Sequence, residues 1–442
     1  MMMLRKPFRH SWWSWGMSNL TFAPLASFAE VTMGQSPGAE LCNTNDKGLP
    51  FLQGCAEFGS RYPLTAVYCD PPLRTARAGS VLISVRAPVG TMNYADQDYC
   101  IGRGLGAFKA KPGISNTVFL KHAVEHNAGF LHRRSQGSTF AAVSTDDVRS
   151  VPVPTFAITK QTKIAAILTA TDSAIEKTET LIAKYQQIKA GLMHDLFTRG
   201  VLPNGQLRPS REQAPDLYQE TAIGWIPREW EVRTLENLLA PLPNNIRSGP
   251  FGSALLKHEL VEDGIPFLGI DNIHAERFDP DFRRYVSERK FRELAKYKVR
   301  PRDVVITIMG TVGRCCVIPD DLELALSSKH LWTMTFDLER VIPELICWQL
   351  NHSAWAQAWF RRAMQGGIMD AIQSSTLKTL RLPVPSIDEQ ELIYARYLKV
   401  STRIQQDGAQ LEKLRKQKLG LMQDLLTGRV PVQVDEPEAV DA

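Results

Sequence analysis

Two stretches of the chain place apolar residues in alternating three- and four-residue steps. In the first, Ile164, Leu168, Thr171, Ile175, Thr178, Ile182, Tyr185, Leu192 and Leu196 keep this register, with Lys189 as the break. In the second, Ile393, Tyr397, Val400, Ile404, Asp407, Leu411, Leu414, Leu421 and Leu425 keep the same register, with Lys418 at the corresponding break. A sustained period of about 3.5 residues predicts a coiled-coil seam. The span from Ile164 to Leu196 makes a rod of about 50 Å. A helix of that length has to bury its apolar edge. The simplest partner for each is the other, packed antiparallel. Asp388 and Glu391 have capping-box spacing at the start of the second helix, and Thr159 is the matching cap of the first. "VPVP" (151–154) and "LPVP" (382–385) precede the helices, and their prolines disfavour helix just before them.

The two stretches are copies. "GLMHDLFTRG" (191–200) returns as "GLMQDLLTGR" (420–429), and the register matches throughout at the same offset. The segments before the helices repeat more loosely. "GSVLISVRAPVG" (79–90) matches "RDVVITIMGTVG" (302–313), "PFLQG" (50–54) matches "PFLGI" (266–270), and "RRSQG" (133–137) echoes "RRAMQG" (361–366). Two unrelated amphipathic helices would not share register, endings and Pro-rich approaches. The expected order is an N-terminal extension over 1–19, a first head over 20–155 and a first helix over 156–199. A linker over 200–223, a second head over 224–385, a second helix over 386–429 and an acidic tail over 430–442 follow. The expected fold is mixed α/β: two heads separated by two long antiparallel helices that form a coiled coil, with a pseudo-two-fold internal repeat. The repeated "GLM.DL" endings are expected to form two symmetry-related surfaces where two copies of one partner dock.

Composition changes this picture little. Of 442 residues, 44% are hydrophobic and 22% charged, which is ordinary for globular domains. Apolar runs fall far short of the roughly 18–20 residues of a membrane-spanning helix. The N-terminus is basic and aromatic without a signal-peptide core, and Met17 is an alternative start. Seven scattered cysteines with no paired or zinc-type spacing imply a reduced, cytoplasmic protein. A net charge of +5 permits nucleic-acid binding without requiring it. Residues 283–302 hold nine Arg and Lys against two Glu, either a solvated helix face or a phosphate-contacting one.

Catalytic motifs fail one by one. "DPPL" (70–73) ends in Leu73, which cannot stack on a flipped base as the aromatic of an amino-methyltransferase loop does. "GRGLG" (102–106) has the glycines of a cofactor loop but opens no helix. "PDDLEL" (319–324) lacks a nuclease lysine. "HAVEH" (122–126) reads as two exposed histidines on a helix, and no metal site is expected. Binding residues are better represented. Gln35, Ser36, Arg61, Tyr62, Arg86, Arg103, Arg133 and Arg134 occupy loop-like settings in the first half. Ser248, Phe251, Lys257, Asn272, Arg283, Arg284, Lys296, Tyr297, Lys298 and Arg314 do so in the second. Arg, Asn and Gln read base edges, Lys and Ser hold phosphates, and aromatics stack. Singly, each is more simply a surface side chain; as a set they favour nucleic acid.

These segments together resemble the specificity (S) subunit of type I restriction–modification systems, from about residue 20 to 430. "MGQSP" (33–37), "GLPFLQG" (48–54), "CIGRGLGAF" (100–108), "IGWIPREWEV" (223–232), "SGPFGSAL" (248–255), "VVITIMGTVGRC" (304–315), "LPVPSIDEQ" (382–390) and the duplicated helix ends carry the likeness. The resemblance implies that each head is a target recognition domain reading one half of a bipartite, asymmetric DNA sequence. It implies a non-catalytic chain whose helices dock two methyltransferase (M) subunits, with restriction (R) subunits joining the complex. S-adenosylmethionine would sit on the M subunits and none on this chain. The sequence departs from the family before its first helix, where the usual Pro–x–x–Glu–Gln wording is missing and Gln161 alone remains. Two other readings stay open: a self-contained adenine methyltransferase or fused restriction–modification chain, and a coiled-coil scaffold with no DNA role.

Overall fold

The computed structural model describes residues 20–135, 142–310, 312–364 and 372–433. The expected N-terminal extension, most of the acidic tail and parts of the "RRSQG" and "RRAMQG" segments lie outside the described residues. The chain forms two compact units: residues 1–182 with 406–442, which is discontinuous in sequence, and the continuous residues 183–405. Two long helices, Ile158–Thr198 and Ile387–Leu426, each contribute one part to each unit. No helix among the described residues is long and apolar enough to cross a membrane.

The first unit is built on an antiparallel sheet in which Leu105–Ala110 pairs with Ala29–Met33 on one side and Val81–Ser84 on the other. Val81–Ser84 is buried along its whole length, as its unbroken apolar run requires. A second sheet pairs Leu49–Leu52 parallel to Tyr99–Ile101. The second unit repeats this plan. Leu331–Met334 pairs antiparallel with Ile246–Ser248 and with the fully buried Val304–Thr307, and Ile265–Leu268 runs parallel to Leu326–Ser327. Each head also ties its two chain ends together. Phe22–Pro24 pairs with Pro152–Pro154, and Glu231–Thr234 pairs with Arg381–Val384. The Pro-rich segments are therefore edge strands, where a missing N–H is tolerated.

Within each unit two long-helix segments run antiparallel. Ile164, Leu168 and Leu411 are buried in the first unit, and Ile393 in the second. Ile175, Ile182, Tyr185, Leu192, Tyr397, Ile404, Leu414 and Leu421 are half-buried. Polar pairs flank these positions: Arg415 meets Glu179 at 2.8 Å, and the Arg403 guanidinium lies 5.7 Å from the Tyr185 ring centre.

The repeated "GLM.DL" endings differ from the expected docking surfaces. Met193, Leu196 and Phe197 are buried in the second unit, in a cluster with Ile226, Trp230, Leu345, Trp348 and Ile393. Phe197 stacks on Trp348 with ring centres 4.3 Å apart. Met422, Leu425 and Leu426 enter the first unit's core beside Leu25, Phe119 and Leu168. Three apolar side chains on one helical face are worth more inside a core, at about 2 kcal/mol each, than presented to a partner.

The caps also fall elsewhere than expected. The second helix starts at Ile387, and Ser386 Oγ accepts from the Glu389 N–H at 3.3 Å, so the cap lies two residues before Asp388. Glu389 is drawn into the core instead. It accepts from Val201 N at 2.7 Å, Trp230 Nε1 at 2.9 Å and Arg208 Nη1 at 3.2 Å. That network orders the Pro- and Gly-rich connection 200–223. In it Arg208 is 2% exposed, and Tyr218–Thr221 forms a hairpin with Gly224–Pro227. The first helix starts at Ile158, which puts Thr159 inside it rather than at its cap.

Gln161 and Gln390, equivalent in the two copies, hold the helix starts. Gln161 is fully buried. It accepts from Asn116 N at 3.1 Å and Ser115 Oγ at 2.7 Å and donates to Phe156 O at 2.8 Å. Gln390 is 2% exposed. It accepts from Ile342 N at 2.9 Å and donates to Arg340 O at 2.8 Å and Pro385 O at 3.0 Å. Asn116 and Ile342 each precede the first turn of a head helix, Thr117–His126 and Pro343–His352. One amide thus ties a long helix to a head helix in both units. Gln161→Leu and Gln390→Leu should each leave buried backbone groups unpaired and cost about 1–3 kcal/mol, read as a fall in chemical-denaturation midpoint. An unchanged midpoint would show that the amides are dispensable.

Candidate nucleic-acid interface

Equivalent turns in the two heads present polar side chains. In the first, Gly102, Arg103 and Gly104 join Tyr99–Ile101 to Leu105–Ala110. The "GRGLG" glycines therefore allow close backbone approach rather than cradling a cofactor: a Cβ on Gly104 would sit 2.6 Å from Gln53 O. Ser36 Oγ accepts from Arg103 N at 3.2 Å and Gln53 Nε2 at 3.3 Å, and the Gln35 N–H donates to Ile101 O at 2.9 Å. The Arg103 and Gln35 side chains stay exposed. In the second head, Ser328, Lys329 and His330 join Leu326–Ser327 to Leu331–Met334. Gly249 packs so closely against this turn that a Cβ would lie 2.0 Å from Ser327 O.

The remaining first-head candidates separate. Arg61 and Tyr62 are exposed and adjacent, the guanidinium 5.5 Å from the ring centre, at the rim of a 660 Å³ cavity that also reaches Lys121, Asp172 and Lys418. Arg86 and Arg133 are exposed. Arg134 is held within the head by Asp147 at 3.1 Å and by the Phe130 ring at 3.7 Å.

In the second head, Phe251 is 61% exposed, and Lys257, Lys298 and Arg314 are exposed. The Lys296 ammonium lies 5.0 Å from the Tyr297 ring centre. Arg283 pairs with Asp281 at 3.3 Å, and Arg284 pairs with Asp271. Two candidates prove to be internal supports. Asn272, 1% exposed, accepts from Gly269 N at 2.9 Å and donates to Asp279 O at 3.0 Å. Ser248, 6% exposed, donates to Lys329 O at 3.2 Å and so fixes the turn. Polar type alone cannot separate a reader from a brace. In the basic run 283–302, the helix Glu288–Glu293 carries solvated i,i+4 pairs, Arg289–Glu293 at 3.2 Å and Arg292–Glu288 at 3.1 Å.

Lys257 and Arg284 do converge. They line a 370 Å³ cavity with Ser328, Lys329, His330, Phe267 and Ile270. Burial, reinforced by the charges of Lys329 and Arg284, pushes His330 below its ordinary value. The sequence signal for this group was the polar run "SSKH" between two apolar strands, which motif reading passed over.

The lysine breaks in the helix register have a structural cause. In the first unit Lys418 Nζ lies 2.6 Å from Glu125 and 2.9 Å from Asp172, and Lys121 Nζ lies 2.9 Å from Glu125. Burial works against the Glu125 carboxylate. The facing His122 ring and the two lysines outweigh it and hold the group well below the usual carboxylate range. His122, expected to be exposed, is fully buried, because Leu120, Ala123 and Val124 around it form the helix's core face. His122, Glu125 and Asp172 have ligand atoms within 4.8 Å of one another. Two ammonium groups already sit on the carboxylates, so the donor set is that of an ion-pair network. In the second unit Lys189 Nζ lies 2.6 Å from Glu276 and 4.6 Å from the Tyr397 ring centre. Glu276 also accepts from Tyr397 Oη at 2.6 Å and lies 2.6 Å from His352 Nε2. It does so from a left-handed backbone conformation, φ +58°, unusual outside glycine.

Comparison with known proteins agrees with this duplicated design. Residues 17–187 match the family described as "Type I restriction modification DNA specificity domain". The "Putative type I restriction enzyme MjaX specificity subunit" of Methanocaldococcus jannaschii is 34% identical over 39% of this chain, and the match spans only 40% of that protein. The "Type I restriction enzyme MjaVIII specificity subunit" of the same organism is 22% identical over 73% of this chain and 72% of its own length. Among solved structures, the type I restriction–modification S subunit from M. genitalium superposes with TM-score 0.60 at 15% identity, covering 92% of this chain and 96% of that one.

The Glu276 network sets a pH dependence. Burial opposes its charge, but His352, Lys189 and Tyr397 bring its pKa from the ordinary 4.5 to about 2. A carboxylate depressed on folding stabilises above its unfolded value and loses that stabilisation as pH falls toward its folded one. Glu276→Gln should therefore cost up to about 3 kcal/mol at neutral pH. Unfolding titrations should show the gap between variant and parent closing between pH of about 5 and about 2. A gap constant with pH would refute the charged role of Glu276.

Proposed function

We propose that the chain is a type I restriction–modification specificity subunit, the DNA-reading member of such a complex; the family match over residues 17–187 and the likeness to specificity subunits support this reading. Each head reads one half of a bipartite target. One observation carries this: two heads of the same topology, on one chain, present differently composed polar turns, Gly102–Arg103–Gly104 in one and Ser328–Lys329–His330 in the other. Common topology supports a common task, and different side chains support different half-sites, hence an asymmetric target. Exposed Arg61, Arg86, Arg103, Lys257 and Arg314 supply donors suited to phosphate oxygens and guanine edges, and Tyr62 and Phe251 supply stacking surface.

On this reading the chain performs no chemistry itself. Methyl transfer belongs to methyltransferase subunits that bind S-adenosylmethionine, two to each chain, and cleavage belongs to restriction subunits. The complex works in the cytoplasm, where its DNA is. The two-fold repeat of the helix pair supports two equivalent docking surfaces for one kind of partner. With the apolar residues of the "GLM.DL" endings inside the cores, those surfaces are formed by exposed helix positions such as Leu419, which is 68% exposed.

The purified chain should transfer no labelled methyl group to DNA until methyltransferase subunits are added; transfer by the chain alone would favour the self-contained enzyme. Replacing residues 20–155 with the corresponding head of a relative should change one half of the methylated sequence and leave the other intact. A change in both halves would overturn the two-head reading. Binding to a specific duplex should weaken linearly on a log–log plot against salt, with a slope of about −0.9 per phosphate contacted. A complex without such binding would be the scaffold alternative.

A further inference from the structure

We propose that the 370 Å³ cavity of the second head is a seat for one backbone phosphate of DNA, gripped by Ser328 and Arg284. The inference rests on the DNA-reading function above and assigns it a particular ligand atom group.

Two residues that line this cavity each carry a buried donor with nothing to bond. Ser328 is 5% exposed, and its backbone is pinned: its N–H donates to Leu268 O at 3.0 Å, and its carbonyl accepts from Gly249 N and Leu331 N, both at 3.2 Å. Its Oγ, held in place by that backbone, is buried without a hydrogen-bond partner. Arg284 gives one terminal nitrogen to Asp271, while its Nε is likewise buried and unpartnered. An unpaired buried donor costs free energy, and two on residues of one cavity lining favour a ligand that accepts once these side chains turn to meet it.

The surroundings select an anion. Lys257, Lys329 and His330 complete the polar lining, and no acidic residue lines the cavity among the described residues. The one nearby carboxylate, Asp271, is already engaged by Arg284. A phosphodiester offers two non-bridging oxygens that share one negative charge, one for each orphan donor, and charge-assisted bonds of this kind are about twice as strong as neutral ones. Phe267 supplies an apolar wall suited to the attached sugar. A base edge would also accept hydrogen bonds, but it gives a lining of this charge nothing to neutralise.

The test uses the complete complex with its methyltransferase subunits, bound to a duplex carrying its own methylated target. Phosphates of the second half-site are replaced one at a time by neutral methylphosphonates. One position should cost the parent complex about tenfold in affinity. Ser328→Ala and Arg284→Gln should each weaken binding to unmodified duplex by a similar factor and become insensitive to the substitution at that position alone. Arg284→Gln should also reduce the salt slope by about 0.9. Lys329 is exposed, so Lys329→Gln offers a variant without a folding burden, and its loss should fall at the same position. Variants that bind like the parent, or that remain sensitive at every position, would overturn the proposal. So would losses that follow a base substitution instead of a phosphate. A parent complex that binds no specific duplex would instead remove the DNA-reading function on which the proposal rests.

Discussion

The last two turns of each long helix carry apolar side chains that the helix itself cannot cover. Met193, Leu196 and Phe197 fill the core of the second unit, and Met422, Leu425 and Leu426 fill the core of the first. Neither head is therefore closed by its own residues alone. The first core needs the end of the second long helix, and the second core needs the end of the first. At about 2 kcal/mol per buried side chain, the loss of one such end would remove a large share of a domain's net stability. Head and helix pair are one folding problem in each unit, which explains why the first compact unit joins two distant stretches of the chain.

Polar groups set where those apolar ends come to rest. Lys189 and Lys418 interrupt the helix registers, and each is held by a head carboxylate, Glu276 in the second unit and Glu125 in the first. A half-buried pair of this kind adds little net stability over an apolar substitute, but displacement of either member is costly. Its effect is to fix position along and around the helix. Gln161 and Gln390 do the same at the opposite ends, through backbone groups of the head helices. Ion pair at one end and amide at the other hold each head at a defined place on its helices.

The polar turns of the two heads follow different rules. The turn around Arg103 and the turn around Ser328 occupy equivalent places in equivalent sheets, and each is braced by a serine on the neighbouring strand end, Ser36 or Ser248. Close glycine packing holds each turn in place, while its side chains differ between the heads. A repeated brace with differing tips lets one scaffold present two unlike surfaces.

The sequence by itself determined the duplication, the two long helices, the Pro-rich strands before them and the apolar cores of the sheets, because periodicity and repetition are written in residue order. It also marked Lys189 and Lys418 as anomalies without a reason. Tertiary structure decided which helix end closes which core, that Glu125 and Glu276 are the lysines' partners, and that Asn272 and Ser248 are braces. It also converted an expected pair of exposed histidines into a buried His122, and gathered Arg284 with Ser328 some forty residues away. The physical reason is common to all of these. A hydrogen bond or an ion pair depends on what lies opposite a side chain after packing, and residue order leaves that opposite face unspecified until long-range contacts form.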